Sequence, residues 1–240
     1  MNILLSNDDG YKSLGLIALR ERLNNFGKVL TIAPHKDISA SSSSLSVHNP
    51  VKVQLVSRNF YKAYGTPADC VHIATRGLLT RYPDIVFSGI NFGSNMGDDI
   101  VYSGTVGAAI EGRHAKFGSY AISIASKDPK YKNDIDKNIT YVVDYIFDEL
   151  ISYKSIFNIN IPDIPFSKIK GFKITKLGTR NISKRANKAK KNTMYYNIGE
   201  VGKGNLLPNS DFDAIKKNYI SITPINIDMT DNHLYKKIKT

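Results

Sequence analysis

Asp8 and Asp9 stand side by side in ILLSNDDG, between a short apolar run and a glycine. Two like charges at the end of a buried segment repel each other unless a proton or a cation neutralises them, and a divalent cation does so most economically. The serine-rich stretch PHKDISASSSSLSVHN and the segment SGINFGSNMGDD supply hydroxyl, amide and carboxylate oxygens, with no Cys/His cluster. Such a donor set suits hard ions, Mg²⁺, Mn²⁺ or Ca²⁺, better than Zn²⁺. A third group, Ser103-Gly104-Thr105, falls just before a helical pattern. The exposed N–H groups and positive dipole end of a helix start form an anion site without a basic residue. A cation beside a phosphate cradle is equipment for phosphoryl chemistry. Each motif also has a plainer reading: NDDG as a turn, and Ser103 or Thr105 as an ordinary helix cap.

These groups need elements that bring them to one edge. Asn2 to Ser6 reads as a buried strand, and Leu14, Ile17, Leu19, Leu23 and Phe26 then recur at helical spacing up to Gly27. Val29 to Ala33 is a second strand, followed by the long polar loop. Val51 to Val56 and Ala63 to Tyr64 read as short strands, Pro67 opens a helix running to about Leu79, and Asp84 to Ser88 is another buried strand. Thr105 to His114 is helical, Ala121 to Ala125 a strand, and Asp134 to Tyr153 a long helix. This rhythm predicts an α/β fold, a Rossmann-like and mostly parallel sheet with helices on both faces, over residues 1–155. In such sheets ligands gather outside the carboxyl ends of the strands, where Asp8, Asp9, the serine-rich loop and the glycine-rich loop all emerge. Beyond Ile156 the pattern weakens into short strands, Asn158 to Ile161, Phe172 to Thr175, Tyr195 to Ile198 and Tyr219 to Thr223. We read 156–240 as a β-rich C-terminal extension or arm of the same domain.

Composition narrows the class. The 240 residues are 42% hydrophobic and 22% charged, enough apolar material for a sizeable core, and no apolar run approaches the ~20 residues of a membrane span. Met1 leads directly into a strand with no export signal, so the cytoplasm is the expected compartment. The single cysteine, Cys70, fits a reducing setting, excludes a disulfide framework and reads as a buried small hydrophobe rather than a nucleophile. His48, His72, His114 and His233 show no ligand spacing to one another. Thirty-three Lys and Arg against twenty-one Asp and Glu give a net charge of +12. The densest cluster, Arg180 to Lys191, reads as a solvated loop, with polyanion binding as its functional alternative.

These motifs resemble those of the SurE family, the survival protein E group of metal-dependent nucleoside monophosphate phosphatases. The resemblance rests on ILLSNDDG, APHKDISASSSSLS, YGTPADCV, PDIVFSGINFGSNMGDDIVYSGTVGAAIEG and YISITPINIDMT, in the family's order and spacing. It implies one divalent ion per subunit, Mg²⁺ or Mn²⁺, held by Asp8, Asp9, Ser39 and Asn91. It also implies substrate contacts from Asn95, Ser103, Gly104 and Thr105, with Asp8, Asp9 and Asn95 in catalysis. The implied reaction is hydrolysis of nucleoside 5'-monophosphates, with 3'-nucleotides and short polyphosphate as further candidate substrates, by a homodimer or tetramer assembled through its C-terminal segments. The departures are local. The family usually carries a glycine in the turn where this chain reads Ser39-Ala40-Ser41-Ser42, and an Asp-Arg pair where it reads His35-Lys36.

Two rivals are to be weighed against this reading. A haloacid dehalogenase-type phosphatase also places aspartates after its first strand, but needs Asp-x-Asp so that both carboxylates point the same way, and adjacent Asp8-Asp9 does not supply that. A non-catalytic polyanion binder explains the charge of +12 but gives the Asp8/Asp9 pair no purpose.

Overall fold

The computed structural model describes residues 1–190 and 194–239. The apolar runs form a chain of alternating elements: β1 (Asn2–Ser6), α1 (Leu14–Leu23), β2 (Lys28–Pro34), β3 (Val53–Ser57), β4 (Phe60–Ala63), α2 (Pro67–Ile73), β5 (Ile85–Phe92), α3 (Gly104–Glu111), β6 (Ser119–Ile124) and α4 (Ile135–Tyr145). Single π-helical turns, Ala74–Leu78 and Ile146–Leu150, prolong α2 and α4. The second half adds β7 (Ile156–Ile161), β8 (Phe172–Ile174), β9 (Asn187–Lys188), β10 (Tyr196–Asn197), α5 (Asp211–Lys216), β11 (Ile220–Ile225) and α6 (Asn232–Ile238). Among the described residues no helix is long and apolar enough to cross a membrane.

Nine strands form one sheet in the order β3-β4-β2-β1-β5-β6-β7-β11-β8. β1 lies parallel between β2 and β5, and β5–β6 and β6–β7 are parallel as well. The antiparallel exceptions are β3 against β4 and β11 against β7. Side chains alternate across the sheet as strand geometry requires. Leu4, Ile32 and Val86 pack with Cys70, Val71 and Ala74 of the α2 segment and Ala108 of α3. On the other face Ile3, Leu5, Ile85 and Phe87 pack with Leu16, Leu19 and Leu23 of α1 and Ile139, Val142 and Val143 of α4. Both faces are therefore dry, which is why β1, β5 and β6 are apolar on both faces and carry only small or amide polar residues among them rather than alternating apolar with charged ones.

The strands expected after Ile156 as an extension of the same domain lie mostly in its main sheet. β7, β11 and β8 continue the main sheet rather than leaving it. β7 is flanked by strands on both sides and all six of its residues are buried. The periodicity was faint because β7 carries buried asparagines, Asn158 and Asn160, where an apolar pattern would be sought. What does leave the sheet is the segment between β8 and α5, which contains the short β9–β10 hairpin. The expected strand Tyr195 to Ile198 shrinks there to Tyr196–Asn197. Lys191, at the end of the basic cluster, lies outside the described residues.

Candidate metal and phosphate site

β1 hands over to α1 through Asn7-Asp8-Asp9-Gly10, and the turn is built by its outer residues. The Asn7 side-chain amide donates to the Gly10 carbonyl at 3.0 Å and to Ser13 Oγ at 2.8 Å, while Ser13 Oγ caps α1 by accepting from Leu16 N at 3.2 Å. The plain turn reading of NDDG thus applies to Asn7 and Gly10. Asp8 and Asp9 are left for other work.

Asp8 is 4% exposed. One carboxylate oxygen accepts from Thr105 Oγ1 at 2.6 Å and the other from Thr105 N at 3.0 Å, tying the first strand to the start of α3. Half-buried Asp9 accepts from Phe92 N at 3.2 Å. Burial pushes the Asp8 carboxyl above its ordinary range against the pull of the Thr105 bonds. Burial and then the charge of Asp8 push Asp9 up to about 7. Every charged influence on the pair comes from a carboxylate, Asp37 included, and none from a lysine or arginine. In a chain with a net charge of +12, the immediate surroundings of the pair are acidic.

Asn91 is the seventh residue of β5, so the expected strand ending at Ser88 runs four residues further and carries this side chain at its carboxyl end. Its Nδ2 donates to the Gly93 carbonyl at 2.7 Å, which leaves Oδ1 as a free acceptor. Ser39 lies on the serine-rich loop and its hydroxyl donates to Asp37 at 2.5 Å, leaving lone pairs on Oγ. Its neighbour Ala40 has a φ of +56°, the left-handed conformation that favours glycine. Among the described residues no cluster of three or more His, Cys, Asp or Glu side chains is placed to hold a metal. A cation here must draw on the neutral oxygens of Asn91 and Ser39 beside the two carboxylates. That all-oxygen set fits Mg²⁺ or Mn²⁺.

Asn95 is held by an asparagine frame on β7. Its N–H donates to Asn160 Oδ1 at 2.9 Å, and its carbonyl accepts from the amides of Asn158 and Asn160 at 2.8 Å each. Its own Nδ2 donates to Ser123 Oγ at 2.8 Å. Ser103 caps α3, accepting from Val106 N at 3.1 Å, and its hydroxyl hydrogen remains to be donated. Gly104 opens the helix against Asp8. A Cβ there would stand 2.7 Å from Ser41 Oγ and 3.0 Å from Asp8 Cβ, so any larger residue pushes Ser41 and Asp8 out of place.

Asp8, Ser39, Asn91, Asn95 and Ser103 all line one cavity of 410 Å³. Asp9, Gly104 and Thr105 do not. Both donors of Thr105, expected as a substrate contact, go to Asp8. α3 accordingly starts at Gly104, one residue earlier than expected, and ends at Glu111. Asp99, Tyr102 and Arg180 are among the cavity residues that escaped the sequence reading. Arg180 in particular read as part of a solvated loop, yet its side chain is only 15% exposed. No local signal separates it from the exposed lysines that follow. The alternation Asn158-Ile159-Asn160-Ile161 was a usable signal for the asparagine frame.

The cavity sits where β1 parts from β2 on one side and β5 on the other, the switch point at which open α/β sheets bind ligands. Fold and site together define a doubly wound α/β protein with an oxygen-lined cavity beside the start of a helix. The survival protein SurE family model matches residues 3–184. A 5'-nucleotidase SurE from Ruthia magnifica subsp. Calyptogena magnifica is 41% identical, covering 100% of this chain and 96% of that protein. A 5'/3'-nucleotidase SurE from Wigglesworthia glossinidia brevipalpis is 46% identical over 97% of this chain and 94% of its own. The crystal structure of SurE from Aquifex aeolicus superposes with a TM-score of 0.86 at 36% identity, covering 100% of this chain and 98% of that one. The chain belongs to the SurE family.

Proposed function

We propose that this chain is a divalent-metal-dependent 5'-nucleotidase that hydrolyses nucleoside 5'-monophosphates to nucleoside and phosphate, and that it acts in the cytoplasm. The observation that carries the reading is the convergence of Asp8, Ser39, Asn91, Asn95 and Ser103 on one cavity at the carboxyl edge of β1 and β5. The names of the SurE relatives support the nucleotidase assignment.

On this reading Asp8, Asp9, Asn91 Oδ1 and Ser39 Oγ hold the ion, Mg²⁺ or Mn²⁺. When bound it supplies Lewis-acid charge against the phosphoryl group and acidifies water. The chain's own groups do the rest. The Ser103 hydroxyl, the Gly104 N–H and the Asn95 amide donate to phosphoryl oxygens, stabilising charge as the ester bond breaks. Water attacks phosphorus as the bond to the 5'-oxygen breaks, its proton passes to the Asp8/Asp9 pair, and the pair returns that proton to the departing 5'-oxygen of the nucleoside. Thr105 acts at one remove, fixing the Asp8 carboxylate through its hydroxyl and N–H.

Self-association is part of the proposal. On and around the β9–β10 segment Ile182, Met194, Tyr195 and Ile198 are 96%, 82%, 76% and 90% exposed, and Ile238 of α6 is 73% exposed. Apolar side chains this exposed favour a second copy of the chain as their cover. Polyanion binding by the basic cluster finds less support, because Arg180 turns inward and Lys184 pairs with Glu200.

The test is phosphate release from a panel of nucleoside 5'- and 3'-monophosphates. Activity is expected with Mn²⁺ or Mg²⁺, none in EDTA, and recovery on adding the ion back. Full activity in chelator overturns the reading.

A further inference from the structure

Two acidic residues and an arginine outside the proposed reaction centre form a second polar group on the same cavity. Arg180 is pinned from four directions. Its backbone N–H donates to Asp98 Oδ1 at 3.1 Å, Nε pairs with Asp99 Oδ2 at 2.7 Å, and Nη1 donates to the Gly202 carbonyl at 3.0 Å. Its guanidinium also lies 4.8 Å from the centre of the Phe212 ring. The frame behind it is as firm. Asp211, fully buried, accepts from Gly97 N at 2.7 Å, Gly178 N at 2.9 Å and Phe212 N at 2.8 Å. It thereby clamps the start of the 97–102 segment to the strand-like stretch that carries Arg180. Gly97, Gly178 and Gly204 all lie flat against Phe212. Arg180 and Asp99 both line the cavity that Asp8 and Ser103 line.

We propose that Asp99 and Arg180 together form the sugar-recognition element of the site, binding the vicinal hydroxyls of a ribonucleotide. This rests on the nucleotidase reading and adds the part of the substrate that the reaction itself does not select. Arg180 and Asp99 are adjacent through the 2.7 Å Nε–Oδ2 pair, and the contacts above take up neither Nη2 of the guanidinium nor Oδ1 of the carboxylate. An adjacent donor and acceptor match a diol, in which one hydroxyl accepts and the other donates. The pair is electrically balanced, so it suits a neutral polar group better than the phosphate dianion, for which Ser103 and Gly104 are already placed. Arg180 is fixed before any ligand arrives, so little side-chain freedom is lost on binding. The exposed side chains of Tyr102, at 65%, and Val201, at 63%, also line the cavity and give it apolar surface of the kind that packs against a nucleoside.

The readout is a ratio internal to each protein: kcat/KM for a nucleoside 5'-monophosphate divided by kcat/KM for its 2'-deoxy counterpart. A site built to hydrogen-bond a hydroxyl discriminates against the analogue that lacks it, and one charge-assisted bond at a partly open site corresponds to about tenfold. The wild-type ratio is expected near that value, and near unity in Arg180→Gln. Asp99→Asn, which keeps the volume and one acceptor, is expected in between and guards against a folding defect in the first variant. Because each ratio is taken within one protein, a general loss of activity leaves it unmoved. A wild-type ratio of one overturns the proposal, as does a ratio unchanged in both variants. Failure of the wild type to hydrolyse any monophosphate refutes instead the nucleotidase reading beneath it.

Discussion

Replacing Asp9 by Asn in the metal-free protein should make it more stable, and more so as the pH rises. The cause is the carboxyl raised from 3.8 to about 7, by burial and by the charge of Asp8. The folded state keeps a proton that the unfolded chain has lost between those two values, so the native state is penalised as the pH climbs through that window and fully above it. A rise of that size corresponds to about 4 kcal/mol, and the solvent that reaches this half-buried carboxylate screens it to about 2 kcal/mol. Asn removes the charge and keeps an oxygen for the Phe92 N–H. The variant is therefore expected to melt about 6 °C above wild type at pH 8, for a chain of this length, with the difference vanishing near pH 4. Saturating Mn²⁺ should reverse the order, because an ion that binds only the folded state stabilises the protein with both ligands more. The assay is thermal melting of both proteins in EDTA and in Mn²⁺ across that pH range. An Asp9→Asn effect in EDTA that is the same at pH 4 and pH 8 would refute the reasoning, since it would mean that no unfavourable charge is held at Asp9.

Other outcomes follow from the same geometry. Ala40→Gly places a residue without a Cβ at a φ of +56° and should stabilise the protein by about 1 kcal/mol, seen as a melting temperature higher by about 3 °C. Gly104→Ala puts a methyl 2.7 Å from Ser41 Oγ and 3.0 Å from Asp8 Cβ. It should lower nucleotide hydrolysis by about 100-fold, on the scale seen when a misplacement of about 1 Å disturbs a reacting geometry, with a cooperative melt retained by circular dichroism. Light scattering at micromolar concentration should give at least a dimer mass, and a monomer mass would remove the proposed self-association.

Much of the core was legible in the sequence because the central strands are buried on both faces and are rich in apolar residues, and because Pro67 opens α2 at a site its residue type announces. The paired aspartates were legible for a different reason: adjacent carboxylates at a strand end conflict with a buried turn unless something neutralises them. What escaped was non-local. β7 was read as part of an arm because its asparagines break the apolar pattern, and they do so to hold Asn95, some 65 residues earlier in the chain. Arg180 sits among residues of the same charge and differs from them only in its partners, Asp98 and Asp99, which no spacing rule connects to it. The double bond from Thr105 to Asp8 likewise joins residues 97 apart. The motif at Thr105 could suggest an anion site but not that the anion would be the chain's own carboxylate.

The central claim is that Asp8, Asp9, Ser39 and Asn91 hold one divalent cation per chain. Calorimetric titration of Mn²⁺ into metal-free wild type and Asp8→Asn tests it without reference to activity. One site per chain is expected in the wild type, with binding weakened by at least tenfold in the variant, since a charged ligand is lost from a hard-oxygen site. Equal affinity and stoichiometry in the two proteins would contradict it and place the cation elsewhere.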